Sequence, residues 1–271
     1  MRIIELTDFA QEGAGMFYHL TDAQLRSKQE PEKGIFIAEG PRVVHTALDA
    51  GYVPVSLLMR RKFVTDEQGM AIIRRCGAIP VYTAQDALLA ELTGFKLQRS
   101  WVLCAMRRPA SRPMEAVLRH ARRVAVLEGI TEPSNVGAIF RSAAALGADA
   151  ILLTPTCCDP LHRRAVRVCM GAVFQVPWAR TGEELGFPVL REKGFRTVGM
   201  ALREKCLSLD DPALAAQERL AVYLGTEDTG LSEEAIRQCD DLVRIPMAAG
   251  IDSLNVAAAA AVAFWQLRVR A

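Results

Sequence analysis

Aromatic residues make up only 6% of this chain of 271 residues, and histidine occurs four times, at His19, His45, His120 and His162. No apolar stretch reaches the roughly 18 residues that a membrane span needs. The opening MRIIELTDFA has no charged segment followed by an apolar one, so the expectation is a protein that is neither exported nor embedded in a membrane. Cys76, Cys104, Cys157, Cys158, Cys169, Cys206 and Cys239 are odd in number and contain no C-x-x-C pair. Neither a disulfide framework nor a zinc site is legible in that spacing, which points to a reducing, cytoplasmic compartment and no bound metal. G-x-G-x-x-G, H-E-x-x-H and G-x-S-x-G are all missing, which removes the commonest dinucleotide, zinc-protease and esterase readings.

Net charge is low as well, at +2, and demands neither nucleic acid nor membrane as a partner. Its distribution is uneven. Lys96, Arg99, Arg107, Arg108, Arg112, Arg119, Arg122 and Arg123 face the single acid Glu115 within one segment. Such a run is either a solvated linker or a polyanion-binding surface.

The apolar content of 51% is that of a globular protein, and the length suits one large domain or two modest ones. From residue 35 short apolar runs alternate with helical ones: IFIAE, PRVVHTALDAG, VPVSLLM, DEQGMAIIRRCG, AIPVY, TAQDALLAELTG and WVLCAM. That rhythm predicts a βαβαβ series and a largely parallel sheet. MRRPASRPM, residues 106–114, interrupts it and marks the boundary between a domain at 1–108 and a second at 109–271. Six further strands follow, at VAVLEGI, AILLTP, VFQVPW, FRTVGMA, LAVYL and LVRIPM, with a helix over Asn135 to Leu146 among the helices between them. The last helix is alanine-rich and apolar nearly all round, which calls for burial on more than one side, either in a core or against a second copy.

Ligands of α/β sheets sit at the carboxyl ends of strands, and three loops there carry unusual chemistry. In LEGITEPSNVGAIFRSAAALG, Arg141 stands among alanines, where a guanidinium needs a partner or a cleft, and Asn135 reads as a helix cap. In LAVYLGTEDTGLSEEAIRQC, Gly225 to Ser232 has the frame of a phosphate-binding loop, yet Leu231 replaces the lysine and Glu227 and Asp228 repel a polyanion. A ligand with hydroxyls or positive charge fits better. In LVRIPMAAGIDSLN, three short polar residues, Asp252, Ser253 and Asn255, precede a helix that needs one cap.

Taken in order, N-x-G-x-x-x-R at Asn135 to Arg141, LGTEDTGLS at 224–232, and IPM followed by DSLN at 245–255 resemble the three motifs of the SpoU (TrmH-type) branch of the SPOUT methyltransferases. FIAEGPRVVHTALDAG, residues 36–51, is similar to the start of the ribosomal-protein-like substrate-binding domain that often precedes this unit. The resemblance implies an α/β chain with an RNA substrate-binding domain followed by a SPOUT domain ending in a C-terminal trefoil knot. It implies S-adenosylmethionine-dependent methylation of a ribose 2′-hydroxyl in ribosomal or transfer RNA, by a homodimer. Leu224, Gly225, Ile245, Met247 and Leu254 match cofactor-binding positions; Asn135, Arg141, Glu227, Ser253 and Asn255 match the polar positions around the reacting centre. On this reading one of the last loop's polar residues caps the helix, while Ser253 and Asn255 face substrate. Cys169 departs from the family's usual serine. Arg163, Arg164 and Arg167 share a helical face that suits either RNA phosphates or water. The alternative is an RNA-binding protein that keeps the fold without catalysis; the intact polar set argues against it.

Overall fold

The structure, a computed structural model, describes residues 2–8, 15–17, 34–93, 100–248 and 253–269; His19, Lys96, Arg99, Gly250 and Asp252 lie outside the described residues. The chain forms two compact units, Met1–Ala110 with Leu161–Phe174, and Ser111–Pro160 with Gln175–Ala271.

In the first unit β1 (Arg2–Glu5), β2 (Ile35–Glu39), β3 (Pro54–Arg60), β4 (Pro80–Ala84) and β5 (Val102–Arg107) form one sheet in the order β1-β4-β3-β5-β2. The sheet, expected to be largely parallel, is mixed, because β5 runs antiparallel to both β3 and β2 while β1, β4 and β3 are parallel. Alternation of apolar and helical runs fixes which segments become strands and says nothing of their direction. All five residues of β2 are buried, Glu39 included. A buried carboxylate requires partners, and Glu39 accepts from Arg163 Nε at 2.9 Å and Trp101 Nε1 at 3.3 Å.

That ion pair, with Phe174 against Tyr52 at 4.9 Å and Phe36 at 5.6 Å, explains why residues 161–174 group with this unit rather than with 109–271. It also corrects the reading of three arginines on one open face. Arg163 is buried on Glu39, and Arg167 stands 3.7 Å from the same carboxylate.

The second unit holds β6 (Arg123–Leu127), β7 (Ala150–Leu153), β8 (Trp178–Arg180), β9 (Arg196–Met200), β10 (Leu207–Ser208), β11 (Leu220–Leu224) and β12 (Asp241–Arg244), in the order β10-β12-β9-β11-β6-β7-β8. Every pairing is parallel. The two-residue β10 was not anticipated. VFQVPW is not a strand throughout: Ala172–Phe174 is a 3-10 turn and pairing starts at Trp178, after Pro177, which has no N–H for the ladder. On one sheet face Val124, Val126, Leu152 and Tyr223 pack against Phe187, Leu190 and Ala235 from two helices. Each such side chain contributes roughly 1.5–3 kcal/mol on burial. The helices Pro133–Leu146 and Val256–Leu267 pack on one another. Of the latter, Val256, Ala260, Ala263, Phe264 and Leu267 are buried, while Val262 and Trp265 remain 41% and 56% exposed. Among the described residues no helix is long and apolar enough to cross a membrane.

Because the seven strands run in one direction, the loops leaving β6, β9, β11 and β12 all open at the same sheet edge.

Candidate active site

The helix after β6 begins at Pro133, and its cap is Glu132, whose carboxylate accepts from Ser134 N at 3.3 Å. Asn135 is therefore not the cap, as sequence reading had it. Proline is pre-organised for the first helical position, and with the cap three residues earlier the Asn135 side chain is not needed to cap the helix.

The loop after β11 closes on itself. Thr226 and Gly230 exchange two backbone hydrogen bonds at 3.0 and 3.1 Å, and the Thr226 and Thr229 hydroxyls meet at 2.8 Å. A side chain at Gly225 would overlap the Gly230 carbonyl and the Leu231 amide, so only glycine permits this closure. Ser232 then caps the next helix through Ala235 N at 3.1 Å.

On the last loop Asn255 has two duties. Its Oδ1 accepts from Ala257 N at 3.0 Å and Ala258 N at 3.3 Å, capping the final helix. Its Nδ2 donates to Asn135 Oδ1 at 3.1 Å and also to Glu227 Oε1. The expected division of labour, with one residue capping and Asn255 facing substrate, is corrected: Asn255 is itself the cap, and its amide nitrogen is held by Asn135 and Glu227. Loops from β6, β11 and β12 thus meet at one carboxamide. Because its oxygen is committed to the helix, its NH₂ must point at two acceptors.

Beside this cluster lies a cavity of about 360 Å³, within the range of small-molecule sites. Leu224, Gly225, Ile245, Met247 and Leu254, the five positions matched to cofactor binding, all line it, as do Glu227 and Ser253. Asn135, Arg141 and Asn255 are not in its wall. Ser253 is exposed, and Arg141 is exposed with no hydrogen bond to Asn135, Glu227 or Asn255. The structure therefore brings three of the five polar residues into direct contact, sets Ser253 in the cavity wall, and leaves Arg141 about 9 Å further along the helix axis from Asn135.

Sequence reasoning missed Leu202 and Arg203, which line the cavity from the loop after β9; Arg203 pairs with Glu233 at 2.6 Å. Nothing in a single arginine after a strand would have flagged it. It also missed Glu132 as a cap, although an acid one residue before proline was the available signal. Cys169 is buried, and its thiol donates to Val166 O at 3.2 Å. Among the described residues no cluster of histidine, cysteine, aspartate and glutamate could hold a metal ion.

Three polar loops thus converge beside a glycine-closed cavity at the carboxyl edge of a parallel α/β sheet. Residues 122–265 match the SpoU rRNA methylase family, and the chain belongs to that family. A Mycobacterium bovis protein described as an uncharacterized tRNA/rRNA methyltransferase is 40% identical over 92% of this chain and 86% of its own. RlmP of Bacillus subtilis, a 23S rRNA (guanosine(2553)-2′-O)-methyltransferase, is 26% identical over 90% of this chain and 93% of its own. The structure of an AdoMet-bound rRNA methyltransferase from Sinorhizobium meliloti superposes with a TM-score of 0.82 and 26% identity, covering 98% of this chain and 97% of that one.

Proposed function

We propose that this chain is an S-adenosylmethionine-dependent RNA 2′-O-ribose methyltransferase acting on ribosomal RNA, with transfer RNA as the competing substrate. The observation that carries the reading is the Asn255 carboxamide joined to Asn135 and Glu227 at the side of the cavity lined by Leu224, Gly225, Ile245, Met247 and Leu254. RlmP supports the ribose position and the ribosomal substrate.

The cavity fits the cofactor. Its wall combines apolar side chains such as Leu224, Ile245, Met247 and Leu254 with the polar residues Thr226, Glu227 and Thr229, and Glu227 suits a positively charged sulfur. S-adenosylmethionine supplies a methyl group on that sulfur. Leu224, Gly225, Ile245, Met247 and Leu254 would hold it, largely through backbone groups. Asn135, Glu227, Ser253 and Asn255 would orient the ribose hydroxyl, and in-line positioning is itself worth several kcal/mol of barrier. The guanidinium of Arg141 has five N–H donors and no acceptor, which makes it a poor base. Its role would be to stabilise negative charge developing on the hydroxyl oxygen.

We further assign residues 1–108 to RNA binding and 109–271 to catalysis, with the C-terminal segment threaded as a trefoil knot. Ser253 and Leu254 line one cavity with the β11 loop, which sets the C-terminal segment beside that loop as the threading requires. Exposed Val262 and Trp265 support a homodimer through the last helix. Seven free thiols support a cytoplasmic location.

Radiolabelled S-adenosylmethionine incubated with the protein and separate ribosomal and transfer RNA fractions tests the proposal. Label at a ribose in ribosomal RNA is expected. Calorimetry showing no cofactor binding, together with no label in either fraction, would sink it.

A further inference from the structure

Resting on the cofactor reading above, we propose that Glu128 is a positioning residue that fastens the glycine loop around the cofactor cavity. Glu128 is the first residue past β6. Its amide donates to Leu224 O at 2.9 Å, continuing the β6–β11 ladder to the point where the loop leaves β11. Its carboxylate Oε2 accepts from Ser232 N at 3.1 Å, at the other end of the same loop. One residue thus grips both ends of the segment 225–231.

Gly129 completes the grip. It holds φ +67°, and an added side chain would come within 3.0 Å of Thr226 Cγ2, so the chain after Glu128 makes room for the closed loop. Between the two ends, Leu231 is buried, lies against Gly199, and contributes to the cavity wall. A carboxylate accepting from a main-chain N–H is a charge-assisted bond. Released at Ser232, the loop keeps its internal Thr226–Gly230 pairing and loses its fixed place against β6. The cavity wall then moves as a body. Glu128 touches neither cavity nor polar cluster, so its effect falls on cofactor affinity, not on the reacting groups.

The variants are Glu128→Ala and Glu128→Gln, the second keeping an oxygen acceptor. In the ligand-free protein, Glu128→Ala is expected to speed hydrogen exchange at Ser232 and across residues 226–231, with exchange in β6 and β11 unchanged. With S-adenosylmethionine as the probe, Glu128→Ala weakens binding about tenfold, a loss of about 1.4 kcal/mol. Its kcat at saturating cofactor stays within about twofold, and Glu128→Gln, which keeps the acceptor without the charge, loses clearly less than Glu128→Ala. Unchanged exchange at Ser232 in Glu128→Ala overturns the proposal whatever the cofactor does. So does Glu128→Gln failing as badly as Glu128→Ala, or a loss spread through kcat. If the wild-type chain binds no S-adenosylmethionine, the functional reading fails, while the exchange experiment still decides the role of Glu128.

Discussion

Asn255 donates to Asn135 Oδ1 at 3.1 Å across a sequence separation of 120 residues, with the same nitrogen on the Glu227 carboxylate. A helix cap and a site contact are thereby combined in one side chain, and the two can be separated by mutation. Asn255→Asp keeps an oxygen for the Ala257 and Ala258 amides but sets a carboxylate against Glu227. Stability should stay within about 1 kcal/mol, as caps interchange at low cost, while methylation falls by about two orders of magnitude. Full activity in Asn255→Asp would show that the amide hydrogens are not required.

Gly225→Ala forces the Gly230–Leu231 backbone away from the strand end. Overpacking of this kind costs roughly 1–3 kcal/mol, and cofactor affinity should fall by at least about tenfold. Calorimetric titration beside denaturant unfolding reads both quantities. Wild-type values in the two together would mean the loop has room the geometry does not show.

Arg141→Ala tests electrostatic stabilisation. Losing one such donor usually costs about 10² to 10³ in turnover, with cofactor affinity unchanged because the guanidinium lies outside the cavity wall. A normal rate in Arg141→Ala would remove the residue from the mechanism.

Burial pushes the thiols of Cys158 and Cys239 up to about 12. Unfolded thiols ionise near 8.5, so above that pH the native state holds protons that the unfolded state releases. Their contribution is intact below about pH 8.5 and fades as pH rises toward 12, by at most about 1.4 kcal/mol per pH unit per thiol. Unfolding measured from pH 8 to 11 should fall more steeply for the wild type than for a Cys158→Ala, Cys239→Ala variant. Parallel curves would refute the assignment.

Trp265→Glu places a charge on the exposed strip of the last helix. Light scattering should report two chains per particle for the wild type and one for the variant, with folded-state circular dichroism preserved. A variant that remains two chains would place the interface elsewhere.

The α/β class, the strand positions of IFIAE and LAVYL, and the three loops worth watching were all legible from the chain, because buried strands and glycine-flanked polar loops leave local signatures. Direction was not. β5 looks like any other apolar run, and only its pairing with both β2 and β3 makes the first sheet mixed. Asn135 looked like a cap for a similar reason: cap propensity belongs to a residue type, whereas the cap actually used, Glu132, depends on where Pro133 starts the helix.

By itself the sequence determined the alternation of buried strands and helices and the three polar loops at strand ends, since helix and strand periods are local properties. The site residues Asn135, Arg141, Glu227, Ser253 and Asn255 and the backbone around Gly225 came as what its resemblance to the SpoU methyltransferases implies. Only the tertiary structure decided which of them touch. It joined Asn135, Glu227 and Asn255, held Arg141 apart, turned Arg163 inward onto Glu39 and set Glu128 at both ends of the loop 225–231. Contacts between residues about a hundred positions apart depend on sheet order and loop closure, and no local period encodes them.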